Sequence, residues 1–380
     1  MKVPPGKTWL EISRSALARN ARELKRLVSR PVKLIAVVKS NAYGHGLPLV
    51  VRAMKSLADI FAVDQLSEAK MARTAGARQP VLILGYTPGF SLKETINSGF
   101  SFTAYNPETI KAAGKLATKT RPAKLHLKIE TGTSRQGVLA ADLPAILKLI
   151  KRQPNVILEG VSTHYANIED TTDPTYARLQ LKRFNEALAA IAAAGLKPEL
   201  VHTACSAAAI LYPEAHFNAV RAGIALYGLW PSPETKASAW SFGRAPELRP
   251  ALAWKTLVAQ VKKMPAGTPV SYGLTERLKR DTLLAVLPIG YWDGFDRGLS
   301  SVGEVLIRGR RCRVIGRVCM NMCVVDANAA PGIRPGEVAT VIGRQGGDAV
   351  SAEEVAAKIS TINYEVVTRI NPLIPRLLTR

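Results

Sequence analysis

The chain has 380 residues, 47% of them hydrophobic, so it can bury a large core and form one big domain plus a smaller one. This composition excludes a disordered or low-complexity protein. The formal charge of +23 comes from 52 basic and 29 acidic residues, but the basic runs are short, as at Arg308–Arg311. Solvated faces are therefore favoured over a nucleic-acid surface, which stays the alternative.

The first residues lead into Thr8–Ile12 without the apolar core of a signal peptide, and the weakly polar stretch Ala187–Leu196 is too short to span a bilayer. We therefore expect a soluble, cytoplasmic protein that contacts no membrane. The cysteines at positions 205, 312, 319 and 323 lack Cys-x-x-Cys spacing. This predicts reduced thiols, with no zinc site and no disulfide framework.

Short β-branched runs alternate with amphipathic stretches in the first three fifths of the chain, which is typical of repeated βα units. The predicted strands are Leu34–Lys39, Ile60–Asp64, Val81–Gly85, Phe100–Tyr105, Leu125–Glu130, Leu158–His164, Leu200–Cys205 and Ala219–Leu226. Eight parallel strands over roughly 230 residues match an α/β fold, a (β/α)8 TIM barrel. An open doubly wound sheet is the alternative, but no Gly-x-Gly-x-x-Gly follows an early strand.

The clearest predicted helix is Tyr176–Ala194, where apolar residues recur on one face. Asp173 can cap this helix, Pro174 suits its first turn and Gly195 suits its exit.

After Trp230, a stretch rich in Ser, Gly and Pro predicts a linker that reaches Pro250. Beyond it, short alternating runs predict a mainly β domain with strands Leu257–Val261, Thr282–Pro288, Val302–Ile307, Cys312–Ile315, Met322–Asp326 and Glu337–Ile342. Ser351 and Glu354 have capping-box spacing and predict one helix. Thr8–Ile12 is a candidate to pair with this domain. We place the domains at residues 1–240 and 241–380.

Polar residues lie at or just after the carboxyl ends of the predicted barrel strands, where barrels carry their chemistry. They are Lys39, Lys128, Arg135, His164, Ser206 and Arg221. Any one of them has an ordinary interpretation, since a single histidine is more often a hydrogen-bonded core residue and a strand arginine is often half of an ion pair. Six residues around one mouth favour a ligand site.

Lys39 ends an apolar strand, and the chain then turns through polar residues and glycines to Gly46. Most strand-end lysines simply reach water. A partly desolvated lysine is instead a nucleophile that can form a Schiff base with an aldehyde cofactor. With an arginine for a ring nitrogen and a phosphate nest at Ser206, Gly223 and Ile224, the residue types fit pyridoxal 5'-phosphate.

The motifs of both domains resemble one known family over nearly the whole chain. They are the run from Lys39 to Gly46, Leu127–Gly132 with Arg135, Thr163–Ala166, Arg221–Ile224 with Tyr227-Gly228, Ser271–Gly273, Pro288–Tyr291 with Asp293-Gly294, Gly316–Met320 and Asn363–Val366. In this order they resemble alanine racemase, a barrel-type (fold type III) pyridoxal-phosphate enzyme. The resemblance implies a homodimeric isomerase that interconverts L- and D-alanine and supplies D-alanine for peptidoglycan.

The resemblance also implies residue roles. Lys39 would hold the cofactor aldehyde, Arg221 would face the ring nitrogen, and His164 would lie near the ring. Arg135 would hold the cofactor hydroxyl and the substrate carboxylate. The phosphate would be held by Tyr43, Ser206, Gly223, Ile224 and Tyr364. Tyr272, Tyr291 and Met320 would come from the other subunit of a head-to-tail dimer, the last two against substrate. Inverting an α-carbon needs acid/base groups on both faces, here Lys39 and Tyr272. Lys128 is a candidate for carbamylation.

The chain departs from the family pattern at several positions. Glu130-Thr131-Gly132-Thr133 replaces the usual Asp-Thr-Gly-Met, Cys205 replaces an asparagine, Asn321 replaces a common aspartate and Trp292 replaces a small residue. Asn321 and Trp292 bear on substrate preference. The alternatives are therefore a related racemase for serine or for larger or basic amino acids, a barrel-type decarboxylase, which Arg221 disfavours, and an inactive cofactor carrier.

Overall fold

A computed structural model describes residues 6–28 and 31–380. Residues 1–5, on which part of the signal-peptide interpretation depends, lie outside the described residues. The chain divides into two compact units. One comprises Leu17–Ala42 and Val50–Arg249, and the other comprises the described residues up to Ala16 together with Tyr43–Leu49 and Pro250–Arg380. The division at residues 240 and 241 stays a prediction.

The first unit contains the predicted parallel sheet. Its strands are β2 (Lys33–Val37), β3 (Ile60–Val63), β4 (Val81–Ile83), β5 (Ser101–Ala104), β6 (Ala123–Lys128), β7 (Val156–Ser162), β8 (Leu200–His202) and β9 (Ala219–Ala222), after β1 (Thr8–Ser13) in the other unit. The order is β8-β7-β6-β5-β4-β3-β2-β9. The strands at the two ends of this order, β8 and β9, also meet, because the Arg221 amide donates to the Ala204 carbonyl at 2.9 Å. The expected (β/α)8 barrel is confirmed.

Helix α1 (Arg14–Leu27) precedes the first barrel strand, and the segment α2 (Lys39–Tyr43) after β2 is a left-handed turn. The helices that follow barrel strands are α3 (Leu47–Met54), α4 (Leu66–Thr74), α5 (Gly89–Asn97), α6 (Pro107–Leu116), α7 (Leu143–Lys151), α8 (Thr175–Ala193), α9 (Ser206–Leu211) and α10 (Pro233–Ser241). Short 3-10 turns occupy Pro213–Ala215 and Ile224–Tyr227. Phe61 and Phe102 are both fully buried, on the strand face opposite to that of Arg221 and His126.

Two local predictions need correction. Pro174, not Asp173, occupies the N-cap position of α8, although Asp173 accepts a hydrogen bond from the Thr175 amide at 3.0 Å. The predicted linker contains helix α10, because Ser232 caps its amino end by accepting from the Thr235 amide at 2.9 Å. The predicted exit at Gly195 is confirmed, with a left-handed φ of 76°.

The second unit is mainly β. Its later strands are β10 (Leu252–Leu257), β11 (Gln260–Met264), β12 (Pro269–Val270), β13 (Glu276–Arg277), β14 (Thr282–Leu287), β15 (Glu304–Ile307), β16 (Arg310–Arg313), β17 (Cys323–Asp326), β18 (Val338–Gln345), β19 (Asp348–Val350) and β20 (Arg376–Thr379). The main sheet runs β16-β15-β18-β10-β1-β20, with β19 paired to β18, and β11-β14-β17 and β12-β13 form smaller sheets. The pairing expected for Thr8–Ile12 is confirmed, since β1 pairs with β10.

The predicted strand Leu257–Val261 was wrong as a single strand. The ladder changes partner there, because Val258 donates to Glu337 and Ala259 to Val286, so β10 ends and β11 begins. The capped helix is confirmed as α11 (Ala352–Lys358), with the Glu354 amide donating to Ser351 Oγ at 3.1 Å. It precedes α12 (Asn363–Thr368).

The buried core of this unit includes Trp254, whose ring meets Phe295 edge-on with centroids 6.3 Å apart. The four cysteines are free thiols. Arg308 pairs with Glu337 at 2.6 Å, and Arg311 pairs with Glu304, Asp348 and Glu354. These two members of the basic run are therefore committed to ion pairs. Across residues 6–28 and 31–380, no helix is both long and apolar enough to cross a membrane.

Candidate active site

Lys39 follows β2 and begins an unusual turn. Ser40, Asn41, Ala42 and Tyr43 all have φ between 51° and 55°, a left-handed helical conformation. Each such L-residue costs about 1–2 kcal/mol, so the surrounding structure must hold the turn. The Ala42 amide donates to the Val38 carbonyl at 2.9 Å. The strain is concentrated next to the amine that the sequence singles out.

The Lys39 side chain lies at the mouth of the barrel and stays 39% exposed. Its Nζ is 3.9 Å from Oδ1 of Asp64, which follows β3. The Tyr227 hydroxyl donates to the Val37 carbonyl at 2.8 Å and fixes the end of β2. Lys39 is therefore an accessible amine on a firmly held backbone.

Arg221 in β9 is the centre of a buried polar network. Its Nη1 contacts Nδ1 and the carbonyl of His202, both at 2.7 Å. Its Nη2 donates to the carbonyls of Thr163 and Thr203 at 2.8 Å and contacts His164 Nδ1 at 3.2 Å. These contacts come from the ends of β7 and β8, so the guanidinium plane is fixed by three neighbouring strands.

The network continues inward through two histidines. Because a guanidinium only donates, Nδ1 of His202 must accept, and its proton must lie on Nε2. That Nε2 is 2.8 Å from Nδ1 of His126, whose Nε2 is 3.2 Å from the carboxylate of Glu159. Ser101 also donates to this carboxylate. Each group is thus oriented by the next, from Arg221 to Glu159.

Burial and positive charge keep the neighbouring imidazoles neutral. Burial, then the charges of Arg221, Arg135, Lys128 and Lys39, lower the pKa of His164 to about 3. Burial and Arg221 likewise hold the pKa of His202 well below its ordinary value. Lys39, Lys128, Arg135 and Arg221 therefore all lie near enough to His164 for their charges to disfavour its protonation.

Lys128 ends β6 inside this cluster. Burial, followed by the charges of Arg135 and Arg221, lowers the pKa of Lys128 to about 8. Glu130 closes the loop that carries Arg135, because its carboxylate accepts the amides of Gly132 and Thr133, both at 2.6 Å. Burial raises the pKa of Glu130, but these amides outweigh burial and leave the pKa below its ordinary value.

Ser206 begins α9, and its Oγ accepts the amides of Gly223 and Ala225 at 3.1 and 3.3 Å. The structure therefore brings Ser206 next to Gly223 and Ile224, as the sequence predicted for a phosphate nest. Gly223 has φ −109° and does not use a left-handed conformation.

The remaining predicted residues lie in the β unit. The rings of Tyr43 and Tyr364 have centroids 6.2 Å apart. Tyr272, Tyr291 and Met320 are 72%, 43% and 55% exposed. Two of their loops are hydrogen-bonded, since the Tyr291 amide donates to the Cys319 carbonyl at 3.1 Å. Gly290 permits this approach, because a Cβ there would lie 2.0 Å from that oxygen.

The sequence interpretation missed His126, His202, Glu159 and Glu68. A signal existed for the first three, because His126, His202 and Glu159 lie within predicted strands, and polar residues on buried strands require partners. No sequence pattern indicates that Glu68 accepts the amides of Asn41 and Asp64. Among the residues that the structure describes, no three His, Cys, Asp or Glu side chains form a group that could hold a metal ion.

Comparison with known proteins decides the family. The profile described as "Alanine racemase, N-terminal domain" matches residues 12–231, and "Alanine racemase, C-terminal domain" matches residues 251–378. The chain belongs to the alanine racemase family. It is 40% identical over 371 residues to the alanine racemase of Symbiobacterium thermophilum, covering 97% of this chain and 96% of that one.

Solved alanine racemases have the same fold. The enzyme from Bacillus anthracis with bound L-Ala-P superimposes with a TM-score of 0.91 at 36% identity, covering 98% of this chain and 95% of that chain. The enzyme from Bartonella henselae with covalently bound pyridoxal phosphate superimposes with a TM-score of 0.85 at 27% identity, covering 99% and 100%. The family consists of pyridoxal-phosphate-dependent isomerases, so this chain is an amino-acid racemase.

Proposed function

We propose that this chain interconverts L- and D-alanine with pyridoxal 5'-phosphate held on Lys39. One observation carries the proposal: Lys39 follows β2, Arg221 lies near the end of β9 and Arg135 lies in the loop after β6, so that all three meet at one barrel mouth. Three cations at one barrel mouth suit a ligand with several anionic groups. The phosphate and phenolate of the cofactor and the carboxylate of an amino acid are such groups, so the donor set fits.

Each barrel residue then has a role that follows from its contacts. Ser206, Gly223 and Ile224 would hold the phosphate, with Tyr43 and Tyr364 of the β unit contributing. Arg135 would hold the phenolate and the substrate carboxylate. When bound, the cofactor supplies an electron sink that makes the α-proton of the amino acid acidic. Arg221 stays permanently charged, which disfavours a proton on the ring nitrogen that it would face.

Two groups must exchange protons at opposite faces of the α-carbon. Lys39 Nζ would accept and return the proton on one face. Tyr272 is exposed on its own chain, so we assign the second proton position to the phenol oxygen of Tyr272 of the partner subunit. Tyr291 and Met320 lie on loops joined by hydrogen bonds, and they would line the substrate position in the other subunit's barrel. The proposed enzyme is therefore a homodimer with shared sites.

Lys128 is proposed to carry a carbamate. Its pKa of about 8 leaves part of the amine neutral near neutral pH, which is the form that reacts with carbon dioxide. A carbamate would reverse the charge beside Arg135 and help to orient it. An NMR resonance from 13C-bicarbonate that is absent in Lys128→Ala would support this assignment.

The biological role follows from the product. We propose that the enzyme works in the cytoplasm and supplies D-alanine for peptidoglycan precursors. Complementation of a bacterial strain that requires D-alanine is the direct measurement, and failure of an active, expressed enzyme to support growth would contradict the role.

The activity is tested by incubating the purified protein with L-alanine in deuterated water and following chirality and α-deuterium together. We expect racemisation with one α-deuterium per turnover, and borohydride reduction should label position 39. Serine, lysine and arginine serve as comparison substrates. A clear preference for any of these over alanine, or borohydride labelling elsewhere, would refute the proposal.

A further inference from the structure

Glu68 accepts hydrogen bonds from two backbone segments that lie close to Lys39 in space. It lies in the first turn of α4, and its Oε1 accepts the amide of Asn41 at 3.2 Å. Its Oε2 accepts the amide of Asp64 at 2.8 Å. Asn41 belongs to the left-handed turn after Lys39, and Asp64 carries the carboxylate that faces Lys39 Nζ. The Glu68 carboxylate therefore links the turn after Lys39 to the segment that carries Asp64.

The turn needs this support. Four consecutive residues other than glycine adopt the left-handed conformation, which is sterically unfavourable for each of them. Hydrogen bonds from an amide to a carboxylate are stronger than neutral ones, so Glu68 can offset part of this cost. Both carboxylate oxygens of Glu68 accept backbone amides, so its effect on Lys39 passes through the backbone.

We propose that Glu68 is a positioning residue that holds the Lys39 amine in place for capture of an aldehyde. The inference rests on the proposed function of Lys39 as the cofactor lysine. Loss of either hydrogen bond lets the turn relax and moves Nζ away from Asp64. Capture of the aldehyde then slows, although Arg135, Ser206 and Arg221 remain in place to bind the anionic groups.

The test compares Glu68→Gln and Glu68→Ala with Glu108→Gln. Gln is isosteric and keeps one acceptor, whereas Ala keeps none. Glu108 is the matched control, because it is an exposed glutamate in the first turn of another barrel helix, α6. Circular dichroism and thermal unfolding establish that each variant is folded.

The first readout needs no catalysis. Apoprotein is mixed with pyridoxal phosphate, quenched with borohydride at short times and analysed by mass spectrometry at position 39. We expect capture to slow about tenfold in Glu68→Gln, the usual cost of one unsatisfied hydrogen bond, and further in Glu68→Ala. Glu108→Gln should match the wild type. A folded Glu68→Gln protein with wild-type capture would overturn the proposal.

The second readout separates positioning from general destabilisation. Ser40 is exposed with φ 55°, so Ser40→Gly removes a left-handed penalty without removing packing. We expect Ser40→Gly to restore most of the capture rate in the Glu68→Gln background. Absence of rescue in a folded double variant would show that Glu68 does not act through the turn.

The two proposals fail in different ways. Acetic anhydride labelling of Lys39 in apoprotein reports its accessibility without the cofactor, and we expect faster labelling in Glu68→Gln. If borohydride marks another lysine in the wild type, the assignment of Lys39 fails while this labelling still tests Glu68. If position 39 is marked but the labelling rates are equal, the positioning role of Glu68 fails.

Discussion

Individual residues at the barrel mouth are held by directional hydrogen bonds. Arg221 can only donate, and this fixes the tautomer of His202 and through it the orientation of His126. Glu159 is the last group in this series of hydrogen bonds and accepts from His126. A change at Glu159 should therefore reach Arg221 through two imidazole rings.

The charge of Glu159 should make stability depend on pH. Burial raises its pKa, but hydrogen bonds from His126 and Ser101 outweigh burial and lower it to about 2, against 4.5 for an ordinary glutamate. The stabilisation is present above pH 4.5 and is lost as the pH falls from 4.5 to 2. We expect Glu159→Gln to lower the free energy of unfolding at pH 7 by about 3 kcal/mol, since one pKa unit corresponds to about 1.4 kcal/mol.

Urea denaturation at a series of pH values measures this difference. The gap between wild type and Glu159→Gln should shrink as the pH approaches 3. A gap that does not change with pH would show that the carboxylate charge is not the cause.

Among elements, β6 and β7 make room for the histidine network by a shift in register. The pairing is irregular between Leu125 and His126, where β7 supplies Gly160. A Cβ at Gly160 would lie 2.4 Å from Nδ1 of His126, so glycine is required by close approach. The strand pair and the polar network therefore depend on each other.

Gly160→Ala should displace the His126 ring and break its contact with His202. We expect a loss of about 2 kcal/mol or more in the free energy of unfolding, as for overpacking of a buried site. Gly89→Ala is the control, because a Cβ there meets nothing within 4 Å at the start of α5. Thermal unfolding measures both variants, and equal melting temperatures would contradict the prediction.

In the β unit, Arg376 of β20 joins the segment around Gly44 to the C-terminal loop. Its Nε donates to the Gly44 carbonyl at 2.7 Å, and its other nitrogens donate to the carbonyls of Ile370, Asn371, Pro372 and Ile374. Burial lowers the pKa of Arg376 to about 10. A single lysine nitrogen cannot reproduce this fork.

Arg376→Lys should lower the free energy of unfolding by roughly 2 kcal/mol, because several carbonyls lose their donor. Arg369→Lys should change it by less than about 0.5 kcal/mol, because exposed ion pairs contribute little. Arg369 pairs with Asp296 at 3.0 Å and is 58% exposed, so it controls for the loss of a guanidinium at the surface. Urea denaturation distinguishes the two, and equal effects would exclude the carbonyl contacts as the cause.

For the whole molecule, the proposed sharing of sites between subunits makes a quantitative prediction. Lys39→Ala and Tyr272→Phe should each be inactive as homodimers. When they are unfolded together and reassembled at equal amounts, half of the dimers are mixed, and each mixed dimer has one intact site. We expect roughly a quarter of the wild-type activity to return, as random reassembly of a two-fold dimer requires.

Assembly is followed by sedimentation and activity by racemisation of L-alanine. The two variants mixed without unfolding, where exchange of subunits is slow, provide the control. If mixed dimers form and no activity returns, Lys39 and Tyr272 do not act in one site from two chains.

The sequence alone determined the fold class, the strand order along the barrel and the positions of Lys39, His164, Ser206 and Arg221. These follow from local periodicity and from the rule that parallel strands in a barrel end at one mouth. The family motifs added Tyr272, Tyr291 and Met320, whose roles remain predictions. Strand ends, helix α10 and the break after Leu257 were missed because they depend on hydrogen-bond partners distant in sequence.

Only the tertiary structure decided how these side chains are held. The contacts of Arg221 with His202, of His126 with Glu159 and of Glu68 with Asn41 join residues that are 19 to 33 positions apart and lie on different strands and helices. The left-handed turn after Lys39 has no glycine in its first four residues to announce it. Its conformation is imposed by the groups around it, and those are brought together only when the barrel closes.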